Sequence, residues 1–390
     1  MSGPAPAALR VLLFSPVAGR DPSSGDTSYT EALLADPPAG VVYTSYSQAI
    51  EQGDVEVLGR KPWGSGGRIR DLPWFAVRSL ELGIRRVGAA FREPWWYVRI
   101  NPLAFDLVHS HLFGLKQVGT RLPIVSSAGY PLTQLYEHRE KWSAGRIAYS
   151  LWLEEMGARL LDVHEPWLRP SSGGLMTVYG ERFRQWLITR GIASDDVTVA
   201  GTFLPDLKLP RVKRTGKTLA FIGRDFTRKG GHLAIRSLEI LRATDPAWRL
   251  IVVTDSSVPE SVCVRPGVEL HRSAPREEVL TRFLPHTDVL LLPTSSDCGA
   301  PYGVLEALQS GCGIVTSLNP WLDERLNGPA VRRVALIPDA IVKGVESILA
   351  QPLTDLQCAA RELWATQFTP PSVQASLLRE YRRAVSLQAL

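Results

Sequence analysis

TLAFIGRDFTRKGGHLAIRSLEIL, residues 218–241, decides the fold. Four apolar residues, Leu219 to Ile222, precede a turn that holds three glycines and several charges, and apolar residues then recur at helical spacing. The run therefore reads as strand, glycine turn and helix. A continuous apolar strand that feeds a helix is the repeating unit of a parallel sheet covered on both faces. A helix beginning near Gly231 presents unpaired backbone N–H groups, Arg224 adds a planar fork of donors, and Lys229 adds a compact charge. Together they suit a phosphate. The competing reading of the same residues is a solvated basic turn.

A second stretch, VLLLPTSSDCGAPYGVLEALQSGCGIVTS at 289–317, repeats the plan. A strand ends at Pro293, a loop of small residues follows, a short helix carries Glu306, and another strand starts after Gly313. Both loops follow the carboxyl ends of strands, where open α/β sheets bind ligands. Glu306 sits about one turn into a mostly apolar helix. Its carboxylate there needs hydrogen-bond donors, and a pair of ribose hydroxyls would supply them. A helix-start Glu favoured by the macrodipole is the plainer alternative.

Outward from these stretches, strand-like and helical runs alternate along the whole chain. RVLLFSP, GVVYTS, VEVLG, FDLVHS, LPIVSS, GLMTVYG and VTVAG read as strands in the first half, with helices near 27–34, 72–91, 145–161 and 181–190. TLAFIG, RLIVVT, VELHRS, DVLLLPT, GIVTS and VALIP continue the series in the second half, with helices near 231–242, 275–284, 302–310 and 338–349 and a helical tail from Thr354 to Leu387. Such alternation implies an α/β protein of doubly wound parallel sheets. Residues 201–218, with two prolines and scattered basic residues, read as a linker. A chain of 390 residues then holds two domains.

Composition excludes several classes. No stretch approaches the roughly 18 to 20 consecutive apolar residues of a membrane-spanning helix. The first residues, MSGPAPAALRVLLFSPVAG, read as a loose leader and a first strand and not as a signal peptide. Cys263, Cys298, Cys312 and Cys358 lack metal-ligand spacing and read as free thiols of a cytoplasmic protein. A net charge of +5 without a nucleic-acid-binding motif gives no reason to expect a nucleic-acid partner. The excess is local, because residues 60–100 hold nine Lys or Arg against three acids, among seven aromatic residues. That mixture fits peripheral contact with the cytoplasmic face of a membrane, and equally a helical insertion whose aromatics pack in the core.

The pattern G-R, a few residues, K-G, and a distant LEAL-x-x-G resembles the retaining GT-B glycosyltransferases of family four. FDLVHSHLFG, residues 105–114, is similar to the family's "DVVHAH" strand end, and RVLLFSPV followed by SSGDTSYTEALL resembles its opening strand, glycine loop and first helix. The resemblance runs from about residue 10 to about residue 317. It implies two Rossmann-like domains facing across a cleft: an acceptor-binding domain over 1–203, a donor-binding domain over 215–365, and a C-terminal helix over 366–390 that crosses back. It further implies transfer of a sugar from a UDP- or GDP-type nucleotide sugar to a glycan, lipid-linked or small-molecule acceptor, with retention and without a metal ion. On this reading no cofactor is needed, Arg224 and Lys229 stabilise the departing diphosphate, and His111 is the catalytic candidate of the N-terminal domain. His109 and His111 are read as facing opposite sides of their strand, which leaves His111, further out, at the site. The donor contacts implied are Gly25, Gly223, Arg224, Lys229, Arg272, Asp297, Cys298, Gly299, Ala300, Tyr302, Gly303, Val304 and Glu306.

Two positions depart from the family pattern. Eight residues before Glu306, where the family has a Glu that meets the transferred sugar, stands Cys298, with Asp297 beside it as a stand-in. After the strand LPIVSS the family often has a His, and this chain has Ser127, Ala128 and Gly129. The diphosphate half of the site matches and the sugar half is altered. An inactive nucleotide-sugar-binding subunit of a polysaccharide assembly complex, or a GT-B enzyme such as a nucleotide-sugar epimerase, are the alternatives.

Overall fold

The computed structural model describes residues 8–15, 25–61, 95–111, 115–128, 142–149, 152, 163–164, 175–189, 192–259, 262, 264–295 and 297–388. They divide into two compact units, one formed by Met1–Ala200 with Gln374–Leu390 and the other by Gly201–Val373.

The first unit is built on a six-stranded parallel sheet. Its strands are β1 (Leu9–Phe14), β2 (Val41–Ser45), β5 (Leu107–His111), β7 (Ile124–Ala128), β9 (Leu175–Val178) and β10 (Val197–Val199), in the order β10-β9-β7-β5-β1-β2. Helix α1 (Gly25–Ala35) follows β1, α2 (Tyr46–Glu51) follows β2, and α3 (Glu181–Ile188) follows β9. Every described residue of β5, β7 and β9 is buried, as central strands of a parallel sheet must be.

A second sheet of this unit departs from the sequence expectation of a wholly parallel plan. It joins β3 (Val55–Lys61), β4 (Trp95–Ile100), β6 (Leu115–Val118) and β8 (Val163–His164), with antiparallel pairing of β3 to β4 and of β6 to β8. Trp96 and Tyr97, read above among candidate interfacial aromatics, are 2% and 4% exposed here, and Trp96 packs edge-on against Phe14 at 5.5 Å. Residues 62–94, the rest of that basic aromatic stretch and the helix expected near 72–91, lie outside the described residues, as do Gly129 and most of 145–161. Among the described residues no helix is long and apolar enough to cross a membrane.

A buried polar cluster holds the C-terminal helix to the first sheet. His109 Nε2 and His111 Nδ1 each lie 2.9 Å from Ser127 Oγ, and Tyr179 Oη is 3.1 Å from His111 Nδ1. The expectation that the two histidines face opposite sides is thus corrected. Residues two apart in a strand share a face, and both rings meet the same hydroxyl. His109 Nδ1 also pairs with the hydroxyl of Tyr381, which lies 2.8 Å from Tyr43 Oη. Tyr381 belongs to the last helix, Pro370–Gln388, which Glu380 fastens again through Thr198 at 2.9 Å. At 1% exposure, with its ring 4.4 Å from that of Tyr29, His111 is an enclosed member of this cluster.

The second unit repeats the parallel plan more regularly. β11 (Thr218–Ile222), β12 (Arg249–Thr254), β13 (Val268–Arg272), β14 (Val289–Leu292), β15 (Gly313–Ser317) and β16 (Val331–Val334) form one sheet in the order β13-β12-β11-β14-β15-β16. Its helices are α4 (Gly231–Thr244), α5 (Arg276–Glu278), α6 (Tyr302–Ser310), α7 (Pro338–Leu349) and α8 (Leu353–Gln367), and the last helix above is α9. Strand β16 begins three residues before the run VALIP expected there. Its two central arginines, Arg332 and Arg333, hide the pattern because they sit half-buried at an edge strand.

The segment 201–218, read as a linker, packs into this unit. Phe203 and Leu204 are fully buried, and Arg214 donates to the carbonyls of Pro285, Gly311, Leu284 and Ser310. A buried guanidinium that meets four carbonyl oxygens is satisfied without a carboxylate.

Burial, with His111 adding to it, pushes the His109 imidazole down to about 3. The unfolded chain takes up a proton near the ordinary histidine value and the folded chain does not, so stability is complete above about pH 6.5 and falls as pH drops toward the folded value. By pH 5 the cost is about 2 kcal/mol. The variant His109→Gln, which keeps a donor and an acceptor, is expected to flatten the loss of melting temperature between pH 7 and pH 5. Parallel melting curves for the two proteins would contradict this.

Candidate functional site

The two glycine-bearing loops of the second unit meet at the carboxyl edge of β11 and β14. Gly230, at φ 82°, caps α4 in a left-handed conformation that disfavours any residue with a Cβ. A Cβ there would also fall 2.2 Å from the carbonyl oxygen of Pro293, at the end of β14. The glycine is required because two loops pass at backbone contact. Gly223 plays a milder part, since a Cβ on it would lie 3.2 Å from Lys229 Cγ, and the stem of Lys229 rests on its bare face.

Lys229 then crosses to the second loop. Its Nζ lies 2.7 Å from both carboxylate oxygens of Asp297, and Arg228 Nη1 reaches the same carboxylate at 3.3 Å. Burial pushes the Asp297 carboxyl up, yet Lys229 and Arg228 together hold it below the usual carboxylate range. Asp297, expected to face a sugar, is therefore engaged by the phosphate-type lysine. Arg228 Nε also lies 3.2 Å from Asp225 Oδ2, so two cations meet two carboxylates at the junction. Arg224 brings a further positive charge from an exposed position, while its own carbonyl accepts from Thr254 Oγ1 at 3.2 Å and from the Ser256 hydroxyl.

The helix starts are narrower donors than the sequence implies. Gly230 and Gly231 donate their amides to Thr227 and Phe226 within the turn, at 3.1 and 2.7 Å. The expected amide at Gly231 is thus already used, because the turn closes on itself. No side chain caps α4 or α6.

Beyond Asp297 the loop is pinned from several directions. Asn319 Nδ2 donates to the Asp297 carbonyl at 2.7 Å, Gly299 exchanges backbone bonds with Trp321 and Asp323 at 2.9 Å, and Thr202 Oγ1 donates to the Ala300 carbonyl at 3.0 Å. Cys298 is half-buried and its sulfur is free of any disulfide. Gly303 and Val304 lie in the first turn of α6, with Tyr302 at its start. Arg272 ends β13 on an exposed position of the same sheet. His111 and Gly25 belong to the first unit, where Gly25 opens α1.

Glu306 is 6% exposed, one turn into α6. Arg276 donates Nε to its Oε1 at 2.8 Å, and Nη2 of the same guanidinium is also 2.8 Å from Oε1. Among the described residues Oε2 of Glu306 receives no hydrogen bond. The second oxygen is thus open to a hydrogen-bond donor from a bound group. Among the described residues no group of three or more His, Cys, Asp or Glu is placed to hold a metal ion.

Arg276, Arg228, Asn319 and Thr202 were not singled out from the sequence. Arg276 left one trace, because a cation at the first turn of a helix opposes the macrodipole and so points to a partner elsewhere. Arg228 stands beside Lys229 in the same motif. Asn319 and Thr202 left no signal, since their partners are backbone atoms far away in sequence.

Residues 216–351 match the family described as Glycosyl transferases group 1. No curated protein matches the chain. Among solved structures, HepE of Anabaena in complex with UDP and glucose aligns at a TM-score of 0.57 and 11% identity, over 98% of this chain and 100% of that one. A glycosyltransferase from Rickettsia africae aligns at 0.57 and 11%, over 98% and 99%. WaaG, a glycosyltransferase involved in lipopolysaccharide biosynthesis, aligns at 0.56 and 14%, over 92% and 96%. The chain has the GT-B fold, and the stretch that matches the group 1 glycosyltransferases lies within its second unit.

The loop contact at Gly230 gives a direct test. Gly230→Ala is expected to destabilise the protein by about 2 to 4 kcal/mol, through a strained φ and a clash with backbone. Gly303→Ala, where nothing lies within 4 Å of the added Cβ, is expected to be neutral or stabilising by up to about 1 kcal/mol. Chemical denaturation of both variants measures the contrast, and equal effects would contradict the packing of the two loops.

Proposed function

We propose that this chain, through its glycosyltransferase domain, moves a sugar from a nucleoside diphosphate sugar to an acceptor hydroxyl, with retention of configuration and without a metal ion. The observation that carries the reading is the Glu306 carboxylate, 6% exposed in the helix after β14, with one oxygen on Arg276 and the other left for a hydroxyl donor. A ribose diol meets that need, and Lys229 and Arg224 suit the diphosphate that follows the ribose. HepE was solved with UDP and glucose, which favours UDP among the diphosphates.

Cleavage of a sugar to phosphate bond builds negative charge on the departing diphosphate. Cations fixed beforehand at that place stabilise the transition state more than the ground state, and can lower the barrier by several kcal/mol. Lys229 is fixed in this way, since Asp297 holds its Nζ at 2.7 Å before any ligand arrives. Charge compensation is thereby assigned to side chains. Retention needs no protein base, because a donor phosphate oxygen on the same face can accept the proton of the incoming hydroxyl. No proton transfer is assigned to His111, whose ring is enclosed.

The altered sugar half bears on which sugar is moved. Cys298 replaces a carboxylate of the family pattern, and a thiol is a weak acceptor. With Asp297 drawn onto Lys229, the loop offers the sugar fewer charged acceptors than the family pattern does. The acceptor, whether glycan, lipid-linked or small molecule, is left open by this site.

Thermal shift with UDP, GDP and their sugars tests the reading first. A true ligand at a hundredfold its dissociation constant stabilises by about 2.7 kcal/mol. Lys229→Ala is expected to weaken the binding of that diphosphate by about tenfold or more, a charge-assisted contact being worth about 1.5 to 3 kcal/mol. Release of free nucleoside diphosphate from the sugar then separates a transferase from an inactive binding subunit, which would bind the donor and leave it whole.

A further inference from the structure

We propose that Arg276 is a positioning residue for nucleotide binding: its guanidinium takes Oε1 of Glu306 and so turns Oε2 toward the ribose hydroxyls. The inference rests on the donor reading above and adds a residue that neither the sequence motifs nor the family match singled out.

The geometry is specific. Two nitrogens of one guanidinium, Nε and Nη2, both lie 2.8 Å from the same carboxylate oxygen, which fixes the carboxylate plane while leaving its second oxygen uncommitted. Arg276 comes from α5, thirty residues before Glu306, and follows Pro275, whose fixed backbone angle sets the entry into that short helix. The Glu306 side chain is 8% exposed and that of Arg276 is 28% exposed, so the pair is enclosed on the carboxylate side and open on the guanidinium side.

Charge is the second half of the role. Burial pushes the Glu306 carboxyl above its ordinary value, and Arg276 opposes that push by its charge and its hydrogen bond. Among the described residues Arg276 is the charged group that acts on Glu306. Without it, the carboxyl holds its proton to higher pH. A protonated carboxyl accepts hydrogen bonds from a diol less well than a carboxylate does. Loss of Arg276 therefore makes ribose binding dependent on pH, weakest in acid and recovering as pH rises.

The test is calorimetric titration of UDP and GDP into the unmodified protein, Arg276→Met, Arg276→Lys and Glu306→Gln between pH 5.5 and 8.5, with inorganic pyrophosphate as control for the diphosphate's own protonation. Arg276→Met is expected to lose about tenfold or more in nucleoside diphosphate affinity near pH 6 and to regain part of it by pH 8.5. Pyrophosphate affinity stays unchanged, and Arg276→Lys recovers part of the loss. In the Glu306→Gln background, Arg276→Met adds nothing further. A loss of the same size at every pH, or one shared by pyrophosphate, would overturn the role of Arg276 while leaving the nucleotide site standing. Failure of the unmodified protein to bind either diphosphate would overturn the donor reading and this inference together.

Discussion

The second unit's site depends on one ion pair, Lys229 to Asp297. It joins the loop after β11 to the loop after β14, at a place where Gly230 lets the backbones touch. An enclosed ion pair contributes little net stability when desolvation is set against attraction, so its value here is geometric. It keeps an ammonium group fixed at a strand edge that would otherwise leave it free to sample many rotamers. Arg228 bridges that carboxylate to Asp225 in its own turn, which ties the two loops together a second time.

The same economy of position recurs at Glu306. A carboxylate that would be costly to bury alone is half satisfied by Arg276 and half presented to a ligand. Lys229, in the turn after β11, and Glu306, in the helix that follows β14, thus come after neighbouring strands of one sheet, whose register is set by their parallel pairing. The fold supplies adjacency and the loops supply chemistry.

Much of this was legible in the sequence, for physical reasons that also mark where legibility ended. LAFI and VLLL are apolar throughout because both faces of a parallel sheet are covered, and the turn residues Gly223 and Pro293 after them mark the strand ends. Lys229 and Glu306 were readable because a charge beside a glycine turn, or inside an apolar helix, demands a partner. The partners themselves were not readable, since Asp297 lies 68 residues from Lys229 and Arg276 lies 30 from Glu306. Strand β4 was hidden by its composition. WWYVRI at 95–100 fits either an interfacial stretch or an insertion with core aromatics, and Trp96 and Tyr97 are core residues, of a mixed sheet whose antiparallel pairs follow no crossover rule. The strand period itself puts His109 and His111 on one face, and Ser127, at the place where a histidine is expected, is the hydroxyl they share.

The most direct measurement is a crystal structure of the unmodified protein with UDP or GDP bound. Expected is a diphosphate in contact with Lys229 Nζ and a ribose whose hydroxyls reach Oε2 of Glu306, with the Arg276 guanidinium still on Oε1. A nucleotide bound elsewhere, or one at this edge whose ribose leaves Glu306 untouched, would contradict the assignment of this strand edge as the donor site.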